Sequence, residues 1–390
     1  MSNIEELTKQ LCPDGVEYKE LWEVTGWDKK FNGLDKHMQK RVINYPYVLA
    51  NKFKELELER GNVRLLSTGN YIGWTTEELA GKNLCVGEIV AIPWGGKANV
   101  KYYKGKFVTA DNRIATSLDT DVLLNKFLYY WMLVNNELIE GFYRGSGIKH
   151  PSMKSVLTMQ IPLPPLPIQQ EIVAILDKFI HLETELQSEL QARRAQYEYY
   201  MNELLNFEGK EVMYRTLGEI STILRGTAIT KKETISGEFP VVANSPNPIY
   251  FHGKSNRSGE TIVIARSGAY SGLVSYWNMP FFLTDAFSIH PDNTLFKTKF
   301  VYFLLKNEQE KIHNMKKGSG VPHVRAMDFE SYSIPIPPLS EQERIVSILD
   351  KLESLVNDKS VGLPAEIEAR RKQYEYYRGK LLDFKNINNG

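Results

Sequence analysis

Cysteine is scarce in this chain: Cys12 and Cys85 are the only two in 390 residues. Two thiols cannot build a disulfide framework or a four-ligand zinc site, so the composition points to a reducing cytoplasm. Long apolar runs are missing, which excludes a membrane-spanning helix at the usual requirement of roughly 18 residues. Met1 to Leu11 is polar and acidic, unlike a secretory signal. Net charge is almost absent, with 48 Lys+Arg against 47 Asp+Glu. No global field therefore draws the chain to a polyanion. What remains is the composition of an ordinary globular protein, 42% hydrophobic and 24% charged, long enough for two to three domains.

Catalytic signatures are also lacking. Asn247-Pro-Ile-Tyr250 approaches the Asn-Pro-Pro-Tyr loop of adenine methyltransferases, but the second Pro is missing and no strand–Gly-x-Gly–helix precedes it to hold a nucleotide cofactor. Gly253-Lys-Ser255 lacks the upstream glycine of a phosphate-binding loop. Pro13-Asp14 with Glu17-Tyr-Lys19 mimics a nuclease metal site, yet its spacing is very tight, and a solvated strand face explains it more simply. There is no His-Glu-x-x-His and no Cys/His cluster.

What the chain does have is a long segment present twice. Ile161-Pro-Leu-Pro-Pro-Leu166 returns as Ile334-Pro-Ile-Pro-Pro-Leu339, and 12 positions from Ile161 to Lys178 match those from Ile334 to Lys351, Gln169 and Gln342 among them. Ala192-Arg-Arg-Ala-Gln-Tyr-Glu-Tyr-Tyr200 matches Ala369-Arg-Arg-Lys-Gln-Tyr-Glu-Tyr-Tyr377. The period far exceeds the 20–50 residues of a solenoid repeat. Two similar halves are implied, presenting two similar surfaces.

The repeated block reads as a long helix. Ile168, Ile172, Ile175, Phe179, Leu182 and Leu186 are spaced 4-3-4-3-4, a coiled-coil seam, and Tyr197, Met201 and Leu204 resume it. The Pro-rich lead-in 162–167 reads as extended chain. The second copy starts at Glu341 with Ile345, Ile348, Leu352 and Leu355; Gly362-Leu-Pro364 should kink or break it. The expected domains are 1–163 and 208–338, with long helices in 164–207 and 339–390. If the second helix returns along the first, the pair is antiparallel and the domains are related by a pseudo-twofold axis. Residues 164–207 carry 3 Lys+Arg against 7 Asp+Glu, whereas 208–338 carry 15 against 12. DNA contacted only by the globular parts is compatible with that contrast.

The globular parts share anchors and diverge between them. Gly87-Glu-Ile-Val-Ala-Ile92 parallels Gly259-Glu-Thr-Ile-Val-Ile264, and Gly145-Ser-Gly-Ile-Lys-His150 parallels Gly318-Ser-Gly-Val-Pro-His323. Thr261-Ile-Val-Ile-Ala265 suggests a strand; Phe127–Leu133 and Phe300–Leu305 suggest short buried helices. The class is α+β, two mixed α/β domains joined by long helices.

Reading DNA takes loops that carry cations, amides and small residues to base edges and phosphates. Arg144, Lys149 and His150 lie on one such loop, and Lys316, Lys317, His323 and Arg325 on its counterpart. Trp94 and Lys97 follow one strand, Arg266 and Tyr270 its equivalent. Ordinary hairpin turns are the competing reading, and the two histidines are more simply structural. On the helices, successive residues turn by about 100°. Tyr199 and Tyr376 therefore face outward if Tyr197 and Tyr374 fill the seam. They are candidate anchors for a partner, with Arg193, Arg194, Arg370 and Arg371 available to a partner's acids; packing on the adjoining domain is the alternative.

These paired Ile-Pro-x-Pro-Pro-Leu-x-x-Gln segments, each leading a helix that ends in Ala-Arg-Arg-x-Gln-Tyr-Glu-Tyr-Tyr, resemble the specificity subunits of Type I restriction-modification enzymes over essentially the whole chain. The resemblance implies two target-recognition domains, each reading half of a split sequence in double-stranded DNA, spaced by an antiparallel coiled coil. It implies a non-catalytic chain that docks two methyltransferase subunits and, where present, restriction/translocase subunits. S-adenosylmethionine, ATP and Mg are then expected on those partners and no cofactor on this chain, in a bacterial or archaeal cytoplasm. Two other readings stay open on the residues alone. A stand-alone methyltransferase or nuclease would show activity in the purified chain; a protein-binding scaffold would show no sequence-selective DNA retention.

Overall fold

The structure is a computed structural model that describes residues 2–39, 41–317 and 322–387. It divides into two units, Met1–Glu185 with Glu368–Gly390, and Leu186–Ile367. Among the described residues no helix is long and apolar enough to cross a membrane.

Each unit is built on four antiparallel strands in one order. In the first, Thr25–Asp28, Asn112–Ser117, Cys85–Pro93 and Lys101–Thr109 lie side by side, extended by Val42–Ile43 at one edge and by Val63–Leu66 and Ile72–Thr75 at the other. In the second, the order is Ser221–Arg225, Ala286–Pro291, Glu260–Ala265 and Val274–Asn278. A separate three-stranded sheet holds Tyr250–His252, Phe239–Val242 and Phe282–Leu283.

The central strands explain why an apolar run forms here. Thr261 to Ala265 are all buried, so the strand is covered on both faces. Alternation then sorts its side chains. Ile262 and Ile264 join Phe300, Phe303 and Phe329 on one face, while Val263 joins Val242, Phe281 and Leu283 on the other. Cys85–Pro93 behaves alike: Val90 and Ile92 meet Phe127 and Trp131, and Ile89 and Ala91 meet Phe107 and Ile114. The helices Asn125–Val134 and Thr298–Asn307 cover the first face in each unit, where the sequence places short buried helices.

A repeated clamp joins each domain to its long helix. Gln169 is fully buried; its Oε1 accepts from Leu124 N at 2.9 Å, and its Nε2 donates to the carbonyls of Val122 and Pro164, both at 2.8 Å. Gln342 repeats this with Lys297 N, Leu295 O and Pro337 O, each at 2.9 Å. An ion pair repeats beside it: Lys126 Nζ to Asp177 Oδ2 at 2.7 Å, and Lys299 Nζ to Asp350 Oδ1 at 2.5 Å.

The first long helix is one continuous element, Leu166–Leu204, of 39 residues. It starts earlier than the sequence suggests. Pro167 sits in its first turn, where a missing N–H costs nothing. The second is two helices, Leu339–Asn357 and Leu363–Leu381. The break is stitched by Asp358, whose carboxylate accepts from Ser360 N at 2.7 Å and Ser360 Oγ at 2.6 Å. A Cβ on Gly362 would stand 2.5 Å from Ser354 O, so only glycine fits the turn. Pro364 then enters as a first-turn residue.

The buried stripes differ from the expected seams. Ile168, Ile172 and Leu176 are the fully buried apolar positions of the first helix, and Ile345, Leu349 and Val356 those of the second. A heptad reading assumes one apolar face. These helices bury a second face against their own domain, and Leu176 and Leu349 belong to it. Helix–helix packing does occur in the first unit, and it is antiparallel. Tyr374 and Tyr377 meet Phe179 with ring centroids at 6.3 and 5.7 Å, while Arg371, earlier in the chain, pairs with the later Glu183 at 3.4 Å. The chain end also returns to this unit: Val16 N donates to Lys385 O at 2.9 Å, and Tyr18 Oη to Phe384 O at 2.7 Å.

Candidate nucleic-acid interface

In each unit the central strand ends at the same place, and the loop leaving it is zippered to the segment carrying the repeated histidine. In the first unit, Tyr143–Arg144 and His150–Pro151 form a hairpin. Gly96 N donates to Lys149 O at 2.9 Å, and Tyr143 Oη to Pro93 O at 2.7 Å. His150 Nδ1 is 2.7 Å from Trp94 O; the carbonyl can only accept, so Nδ1 carries a proton. Trp94, Lys97, Arg144, Lys149 and His150 thus belong to one surface. Lys97, Arg144, Lys149 and His150 are exposed on it. Trp94 is less free than a stacking platform should be: Arg113 covers it at 3.8 Å and the His150 ring lies 5.0 Å away.

Beneath this loop lies a charged brace that sequence reasoning missed. Asp111 Oδ1 accepts from Lys29 Nζ and Arg113 Nη1, both at 2.8 Å, and its backbone carbonyl accepts from Trp94 N at 3.0 Å. Partial burial works against its charge, but the hydrogen bonds from Lys29 and Arg113 outweigh that and hold the carboxyl below its usual range. Lys29 also stands 3.8 Å over the Tyr47 ring.

Behind the brace, Asp28 is 1% exposed and accepts from Ile114 N at 2.6 Å. Burial dominates and pushes its pKa up from 3.8 to about 6, against the pull of the Ile114 N–H, Lys29 and Arg113. A carboxyl whose pKa is raised on folding is tolerated best when neutral. Its neutral form is fully present below about 3.8, and that contribution is lost as pH rises through about 6. Asp28→Asn should therefore stabilise the first unit by about 3 kcal/mol at pH 7.5 and by little at pH 4. Melting of the two proteins across that range checks it; equal melting at pH 7.5 contradicts it.

The second unit repeats the plan with other groups. Val324 N donates to Arg266 O at 2.9 Å and Gly268 N to Pro322 O at 3.2 Å. Lys317 and His323 exchange backbone bonds at 2.9 and 3.0 Å. Arg266, Tyr270, Lys316, Lys317, His323 and Arg325 are therefore gathered around one loop pair; the part of it at 318–321 lies outside the described residues. Arg325 forks Asp328 at 2.7 and 3.1 Å, and Lys317 approaches the same carboxylate at 3.5 Å. The Arg325 bonds hold Asp328 below the usual carboxylate range. Asp285 occupies the position of Asp111, just before the equivalent strand. It accepts from Ser267 Oγ at 2.5 Å and Asn244 Nδ2 at 3.2 Å and stands 4.0 Å from Arg266. Arg225, at the position of Lys29, lines a cleft together with Asp285 and Arg266.

The near-methyltransferase segment falls in this unit too. Tyr250 begins a strand and its hydroxyl donates to Ile229 O at 3.1 Å.

On the helices, Tyr199 and Tyr376 are 62% and 64% exposed, while Tyr197 is buried. The arginines are more committed than expected. Arg193 bonds Glu189 at 2.8 Å and Gln196 at 2.7 Å, Arg370 bonds Gln373 at 3.1 Å, and Arg371 takes Glu183; Arg194 is exposed.

Comparison with known proteins follows the same division. The family model described as the Type I restriction modification DNA specificity domain matches twice, over residues 13–192 and 209–369. A Type I restriction enzyme specificity subunit of Escherichia coli is 33% identical over 70% of this chain and 74% of its own length. A chain of Haemophilus influenzae named as a type I restriction enzyme specificity subunit is 33% identical over 97% of this chain and 98% of its own. Among solved structures, a Type-I restriction-modification system S subunit from M. genitalium has the same fold. Its TM-score is 0.68 at 20% identity, covering 94% of this chain and 96% of that one.

Proposed function

This chain belongs to the family of Type I restriction modification DNA specificity proteins, and on that premise we propose that it is the non-catalytic specificity subunit of such a complex, each unit reading one half of a bipartite DNA site. One observation carries the division of labour. The two units share a strand order, a buried glutamine clamp and a histidine-bearing loop, yet they present Trp94 and Lys97 in one case and Arg266 and Tyr270 in the other. A shared scaffold with different side chains at its reading edge is what two independent base-reading surfaces need.

Catalysis then resides in partners: methyltransferase subunits holding S-adenosylmethionine, and restriction subunits, where present, using ATP and Mg. The exposed pair Tyr199 and Tyr376 is the proposed anchor for the methyltransferases, since large aromatics free of intrachain burial make strong interface contacts. The test is methyl transfer to DNA from S-adenosylmethionine. The purified chain alone should transfer none, and adding methyltransferase subunits should place methyl groups at one bipartite sequence. Tyr199→Ala combined with Tyr376→Ala should weaken that assembly at least about tenfold, a loss of about 1.4 kcal/mol, with unchanged circular dichroism. Undiminished co-purification would make both tyrosines mere surface, and methylation by the chain alone would refute the reading.

A further inference from the structure

We infer that the cleft of the second unit holds a backbone phosphodiester of the bound DNA, with Arg225 as its principal ligand. This rests on the DNA reading above and adds to it a residue and a chemistry. The cleft has a volume of about 810 Å³, and its charged wall is Arg225, Arg266, Arg325, Glu233, Asp285 and the ring of His323. The acids and Arg325 are already engaged. Glu233 accepts from Thr230 N at 2.7 Å and Thr230 Oγ1 at 2.8 Å, Asp285 takes Ser267 and Asn244, and Arg325 takes Asp328. Arg225 is different. Among the described residues its guanidinium has no hydrogen bond and no ion pair, and it is exposed.

Its backbone, by contrast, is held firmly. Arg257 Nη2 donates to Arg225 O at 2.8 Å, Gly226 N donates to Ala286 O at 2.9 Å, and a Cβ on Gly226 would stand 2.8 Å from Leu283 O. A free guanidinium on a fixed strand end, unpaired with either acid of the cleft, is poised for bidentate capture of a phosphate. Arg266, 4.0 Å from its nearest acid, is the second ligand. Lys29, the equivalent in the first unit, is spent on Asp111 and Tyr47. At this position the two units therefore differ in kind.

The salt dependence of DNA binding tests this, using the full chain in complex with its methyltransferase subunits and a duplex bearing the sequence it methylates. Each phosphate neutralised contributes about 0.9 to the slope of log affinity against log salt. Arg225→Gln should reduce the slope by about that amount and Arg225→Lys should restore it, with the methylated sequence the same in both, because phosphate contacts position without specifying. Arg225 is exposed, so folding is not at risk. An unchanged slope in Arg225→Gln overturns the inference. So does a changed half-site, which would make Arg225 a base reader. Inorganic phosphate binding that is lost in Arg225→Gln while the DNA salt slope stays unchanged would point to a free-anion site instead. A parent complex without sequence-selective DNA retention would sink the DNA reading itself.

Discussion

Gln169→Leu is expected to lower the stability of the first unit by about 3 kcal/mol, and Gln342→Leu to do the same to the second. Leucine nearly fills the volume, so the cost is polar rather than a cavity. It strands one N–H and two carbonyls at the junction of domain and helix, those of Leu124, Val122 and Pro164 in the first case. Buried groups left unpaired cost roughly 1–3 kcal/mol each, with less where the group stays partly wet. For units of this size that corresponds to a drop of about 6–12 °C in melting. The two substitutions act in separate units and should add in the double variant. Denaturation of the single variants checks this. A loss below about 1 kcal/mol in both would mean that the glutamines bridge groups that water satisfies equally well.

The sequence made the duplication and its local consequences legible. Thr261–Ala265 is a buried strand because four β-prone residues, Thr261 to Ile264, run between turn formers, and Tyr199 and Tyr376 face outward because helical phase demands it. Period-based reasoning stops where one element answers to two neighbours. Leu176 and Leu349 lie off the heptad seam and are nonetheless fully buried, because the helix also packs on its domain.

The site is harder still to read from sequence. Lys29 meets Asp111 across 82 positions of chain, brought together by the antiparallel pairing of Thr25–Asp28 with Asn112–Ser117. No local motif marks either residue. One signal was available: Asp111 and Asp285 sit just before equivalent strands in the two halves, and repeat alignment extended past the glycine-led anchors would have reached them. The repeated glutamine was visible as an identity, but its role depends on the carbonyls that surround it.

Recognition should be modular. The loops that differ, around Trp94 and around Arg266, are each zippered only within their own unit, so replacing one reading edge leaves the other's supports untouched. The boundaries of an exchange follow from the fold. The pairing of Tyr18–Glu20 with Gln160–Pro162 ties the domain to its long helix, and the Val16 contacts tie it to the chain end. Exchanging residues 21–158 for those of a relative keeps both. The expected effect is complete: one half of the recognised sequence is replaced, and a mismatched half-site at about 1–3 kcal/mol per base pair is no longer bound.

The most direct measurement is a map of methylated sequences in DNA exposed to the assembled complex before and after that exchange. One half of the bipartite site should change, while the other half stays identical and the spacer between them is kept. Changes in both halves, or in neither with the complex still active, would contradict modular recognition.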